Sequence, residues 1–119
     1  MELDDIFNEE VRIMKLWIDD LRPAPEGYVW LRSVNEVIDF IDILLLDDRY
    51  FDLPITLVDI DHDAGDYAYD GGDYIKLLDY WEDLWGKGLP FDIRIHSANP
   101  VGVANMRRII ERNCWKEVF

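Results

Sequence analysis

A chain of 119 residues, half of them hydrophobic and 13% aromatic, is long enough for one domain with its own core. Its formal net charge of −14 repels nucleic-acid backbones and anionic membranes, so neither is an expected partner. A small phosphate ligand is still admissible where a divalent cation screens its approach.

The start "MELDDIFNEE" is acidic, the opposite of a secretory signal, and no apolar run nears the ~18 residues of a membrane span. The single Cys114 excludes a disulfide framework within one chain. A cytoplasmic location is therefore expected. Residues 1–13 read as an extension, 14–113 as the core and 114–119 as a tail, all of one domain. Met14 opens "MKLWIDD" and leaves an alternative translation start open.

"KLWID" (15–19) predicts a strand ending at the acidic pair Asp19-Asp20, and "LRPAPEG" a loop. "YVWLR" (28–32) predicts a second strand. A parallel crossover usually needs a dozen or more residues, so the short link between these strands implies a compact connection or an antiparallel pairing. Ser33-Val34-Asn35-Glu36 has the capping-box pattern, in which serine and glutamate satisfy each other's N–H groups. Val34, Val37, Ile38, Ile41, Leu44 and Leu45 then repeat at helical spacing to about Leu46.

"ITLVDI" (55–60) is apolar enough for a central strand covered on both faces. A loop rich in glycine and aspartate runs to Gly72, and a helix carrying Ile75, Leu78, Trp81 and Trp85 stops at "GKG". "FDIRIH" (91–96) is the fourth strand. Asn99 caps a third helix with Pro100 in its first position, running to about Asn113. This order predicts an α/β domain with a largely parallel four-stranded sheet.

Such sheets bind ligands beyond the carboxyl ends of their strands. There the sequence gathers Asp19, Asp20, Asp59, Asp61, His62, Asp63, His96, Ser97 and Asn99, including both histidines of the chain. Clustered carboxylates tolerate one another around a divalent cation. Oxygen ligands favour magnesium or manganese, and zinc competes if the histidines also ligate. In a plainer alternative, His62 and Asp63 cap the loop and His96 pairs with an aspartate. An EF-hand-like spacing also exists, with Asp59, Asp61 and Asp63 at positions 1, 3 and 5 and Asp70 at position 12. Its glycine is misplaced, and a strand precedes the loop.

"LWIDDLRPAP", "DHDAG" and "HSANP" resemble the cyclic-phosphate processing receiver-like domain of bacteria and phages, a relative of response-regulator receivers. The resemblance implies a receiver-like (flavodoxin-like) sheet of order 2-1-3-4, truncated relative to a full receiver. It implies a metal-dependent phosphodiesterase acting on a cyclic phosphate of nucleotide or RNA-end type. Asp19, Asp20, Asp61 and Asp63 are then the candidate metal ligands. His62 and His96, with Asp61, are the candidate catalytic residues, the histidines as general base and acid. Ser97, Asn99 and Arg22 are the candidate phosphate contacts. Asp61 is favoured over Asp59 as the receiver-type aspartate. Three departures stand out: the helix between the first two strands is lost, no fifth strand follows the third helix, and the lysine that receivers carry there has no counterpart. The alternatives are a phosphate-accepting signalling domain and a non-catalytic nucleotide sensor. With all helices on one face, Trp17, Trp30, Trp115 and Phe119 are expected on the other, to be covered by the N-terminal extension, the tail or a second subunit, and a homodimer is the expectation.

Overall fold

The structure, a computed structural model, describes residues 13–48 and 52–119, so residues 1–12 of the N-terminal extension lie outside it. Strands β1 (Met14–Ile18), β2 (Tyr28–Leu31), β3 (Ile55–Ile60) and β4 (Asp92–Ile95) form one sheet of order β2-β1-β3-β4. Every neighbouring pair is parallel. Helices α1 (Val34–Leu45), α2 (Ile75–Trp85) and α3 (Pro100–Arg112) follow β2, β3 and β4. This is the expected receiver-like α/β architecture. Among the described residues no helix is long and apolar enough to cross a membrane.

Alternation along the strands sorts the two faces. Leu16, Ile18, Leu31, Val58, Ile60 and Ile93 are buried in one core with the helix residues Val37, Ile41, Leu77, Leu78, Trp81, Met106 and Ile110. The other face carries Lys15, Trp17, Tyr28, Trp30, Asp59 and Arg94, as the strand register shows.

The β1–β2 link is the compact parallel option, and side chains make it possible. Asp19 Oδ1 accepts the N–H groups of Leu21 and Arg22, both at 2.9 Å, closing a tight turn. Trp30 Nε1 donates to the Asp19 carbonyl, Arg32 to that of Asp20, and Trp17 Nε1 to that of Arg22. The helix that would otherwise satisfy this backbone is thus replaced by indole and guanidinium donors.

At α1, Ser33 caps as expected, its Oγ accepting Glu36 N–H at 3.1 Å. The reciprocal half of the box is shifted by one residue: Glu36 Oε1 accepts the N–H of Arg32, not of Ser33. Asn99 caps α3 through Oδ1, which accepts Gly102 N–H at 3.0 Å.

The tail adds no fifth strand, as expected, and corrects the placing of Trp115 and Phe119. It pairs with the free edge of β4 in an isolated parallel bridge, Ile93 to Glu117, a single rung where a fifth strand would lie. Lys116 sits near Asp92, at the amino end of β4 and far from the carboxyl ends of the strands. Trp115 joins the helix layer rather than the opposite face, its Nε1 donating to Gly86 at the end of α2. Phe119 lies under Arg107 of α3. The opposite face is therefore mixed, with Trp17 and Trp30 beside Lys15, Asp59 and Arg94.

Candidate metal centre

The end of β3 is tied to the end of β1 by the Asp61 N–H, which donates to Ile18 at 2.9 Å. This sets Asp61 beside Asp19 and Asp20. One carboxylate oxygen of each lies within 4.8 Å of the others. The three residues are only 0%, 7% and 8% exposed for Asp19, Asp20 and Asp61.

Their electrostatics differ. Burial pushes the Asp19 carboxyl up, but the Arg22 and Leu21 N–H groups and His96 outweigh it and hold it below its ordinary value. Asp20 sits above its ordinary value, through burial and then the neighbouring charges of Asp19 and Asp61. Burial pushes the Tyr74 phenol up, and the charges of the same three carboxylates add to it. Tyr74 donates to the Arg32 carbonyl at 2.6 Å. Arg22 lies 3.4 Å from Asp19 and 3.9 Å from Asp61, with its side chain half exposed. Asp19 is paired with His96 and Arg22 and Asp61 with Arg22, but among the described residues no ion pair reaches Asp20. An all-oxygen set of this kind fits a hard divalent cation.

The two histidines have different surroundings. His96 lies between two buried carboxylates, Nδ1 on Asp59 at 2.6 Å and Nε2 on Asp19 at 2.9 Å. With both carboxylates ionised, the two bonds form at once only in the imidazolium, which has two donors. Trp17 stacks on its ring with centroids 3.8 Å apart, and Arg94 holds the far side of Asp59 at 2.9 Å. His62 instead pairs through Nδ1 with Asp63 at 2.7 Å. Among the described residues its Nε2 has no protein partner. The ring lies on Gly102, where a Cβ would come 2.4 Å from its Cγ.

Asp63 therefore stands apart from the trio, in a second group with His62 and Asp73. Asn99 Nδ2 reaches Asp63 at 3.3 Å, tying this group to the start of α3. Ser97 Oγ accepts the Asn99 N–H at 3.2 Å, and no bond joins it to the trio. Asp59, Asp61, Asp63 and Asp70 turn to separate partners, Asp70 to Ser33 and Asn35, so no EF-hand loop forms. Sequence reasoning missed Asp73, Tyr74, Arg32 and Gly65. Gly65, at φ +53°, approaches Asp20 so closely that a Cβ would lie 2.2 Å from its Oδ2. A glycine in an aspartate-rich loop was the one available signal.

A parallel sheet of order 2-1-3-4 with an acidic trio at its carboxyl edge defines a receiver-like domain. The chain belongs to the cyclic-phosphate processing receiver domain family, which it matches over residues 14–112. Receiver domains bind divalent metals through acidic residues, and this chain has such a cluster. No match was found among curated proteins or solved structures.

Proposed function

We propose that this chain is a phosphodiesterase that opens a cyclic phosphate, with a magnesium or manganese ion held by Asp19, Asp20 and Asp61. The observation that carries this reading is the buried trio, whose oxygens lie within 4.8 Å of one another in a chain of the cyclic-phosphate processing family. When bound, the cation supplies Lewis-acid stabilisation of phosphoryl charge. Zinc is less favoured because neither histidine belongs to the trio.

His62 is the proton-transfer group. Asp63 fixes its Nδ1, and Nε2 is left to take a proton from water or return one to the departing alkoxide. Water adds oxygen to phosphorus, one ring P–O bond breaks, and a linear monoester leaves. His96, engaged at both nitrogens, acts by holding Asp19 in place. Arg22 meets the incoming anion from its exposed loop, and Ser97 keeps its hydroxyl proton for a phosphate oxygen. Asn99 places the α3 amino terminus beside Asp63.

Phosphate acceptance by Asp61 is the competing reading. The lysine of the tail, Lys116, does not serve it, lying at the other end of β4. Incubation with acetyl phosphate and magnesium, beside a panel of cyclic phosphates, separates the two. Turnover lost in His62→Ala, with no labile phosphoprotein, supports the phosphodiesterase; a phosphoprotein without turnover rejects it. A homodimer over the mixed face is also proposed, and a monomeric mass in light scattering at micromolar concentration would count against it.

A further inference from the structure

An aromatic ladder leads from the metal centre into solvent. The Arg32 guanidinium lies over the Trp30 ring and over the Tyr67 ring, 4.6 Å from each centroid. The same guanidinium donates to the carbonyl of Asp20, a member of the trio. Tyr67 ends the single turn Gly65–Tyr67 whose first residue touches the Asp20 carboxylate. Tyr69 continues the series, its ring centroid 6.5 Å from that of Tyr67 and the planes 27° apart. Tyr69 is 84% exposed, so most of its ring is in water.

Fixing the loop accounts for Arg32 and Tyr67, which are held on both sides. It does not account for Tyr69, which buries little and makes no bond to the core. A ring stacked on the end of a cation–π series that runs back to the backbone of Asp20 is what a planar uncharged ligand group needs. The net charge of −14 adds a reason: the surface repels an anionic substrate, so an uncharged part of that substrate must contribute affinity.

We propose that Tyr69, backed by Tyr67 and Arg32, is a stacking platform for a nucleobase, and that the substrate is a nucleoside cyclic phosphate rather than a base-free one. This rests on the phosphodiesterase reading for the phosphate end only.

The test compares binding of adenosine 2′,3′-cyclic phosphate and glycerol 1,2-cyclic phosphate to the magnesium-loaded protein, for wild type, Tyr69→Ala and Tyr69→Phe. Wild type should prefer the adenosine compound. Tyr69→Ala should lose roughly tenfold of that preference, in the range of one base–aromatic stack, and Tyr69→Phe should keep it. Equal affinity of the wild type for both compounds, or a preference that Tyr69→Ala leaves untouched, overturns the platform. Adenosine alone separates the two readings. Shifted ring resonances of Tyr67 and Tyr69 on its addition support the platform even where no cyclic phosphate is turned over. Their absence overturns it even where turnover is seen.

Discussion

Gly65 and Asp20 meet so closely that a single methyl group cannot fit between them: a Cβ on residue 65 would stand 2.2 Å from Asp20 Oδ2. Gly65 also holds φ at +53°, a region that costs an L residue about 1–2 kcal/mol. Gly65→Ala should therefore lower stability by at least that amount and weaken magnesium binding together with it. Urea unfolding and calorimetric titration check both; a variant with unchanged magnesium affinity would show that the contact does not shape the site.

Gly102 offers a reversal of the usual sign. Replacing a helix glycine by alanine normally stabilises by roughly 0.5–1 kcal/mol. Here the new Cβ would lie 2.4 Å from the His62 ring. Gly102→Ala should displace His62 and depress turnover at least tenfold, with magnesium binding to the trio retained. Turnover at the wild-type rate would remove His62 from the chemistry.

His62 and His96 should fail in different ways. His96→Ala leaves Asp19 and Asp59, both fully buried, without the ring that bonds to each of them. Breaking a buried pair of this kind costs about 3–5 kcal/mol. His62→Ala removes a partly exposed side chain paired with an exposed carboxylate, so stability should change by less than ~1 kcal/mol while turnover collapses. Urea midpoints of the two variants give the comparison, and equal losses of stability would contradict it.

These assignments show what the sequence made legible. Element order, the Asn99 cap and the convergence of the strand ends follow from local spacing, and the structure reproduces them within a residue or two. The separation of the histidines does not, because the His96 bridge joins Asp59 on β3 to residues just past the ends of β1 and β4. Nor does the shift of Glu36 to the Arg32 N–H, which depends on how β2 enters α1. Trp115 was misplaced because hydrophobicity alone does not say which face of a sheet a tail will cover.

Asp20 gives the metal site a pH signature. Its carboxyl lies above the ordinary range because of burial and then the charges of Asp19 and Asp61. At neutral pH the charged form is a liability in the folded protein, and acidification through the raised value relieves it. Where Asp20 carries its proton, magnesium must displace it. Magnesium should thus raise Tm at neutral pH, by about 2.7 kcal/mol of stability at a hundredfold excess over Kd. The increment should shrink as pH falls, and Asp20→Asn should raise the metal-free Tm while abolishing the increment. An increment that grows on acidification contradicts this.

Glu82 acts in the opposite direction. Hydrogen bonds from Arg112 and then Asn113 pull its carboxyl from the ordinary 4.5 down to about 2. Its contribution to stability is therefore present above 4.5 and is lost as pH falls through about 2. Glu82→Gln should flatten the acid limb of a stability–pH curve in that window. An unchanged limb would show that the α2–α3 pairing is already screened by solvent.

The central claim is metal-dependent opening of a cyclic phosphate. Phosphorus NMR of adenosine 2′,3′-cyclic phosphate, with the protein stripped by chelator and then given magnesium or manganese, tests it most directly. The expected result is conversion to the linear monoester only after metal is restored, and none with Asp61→Asn. Conversion that survives the chelator, or no conversion by a protein shown to bind the metal, would contradict it.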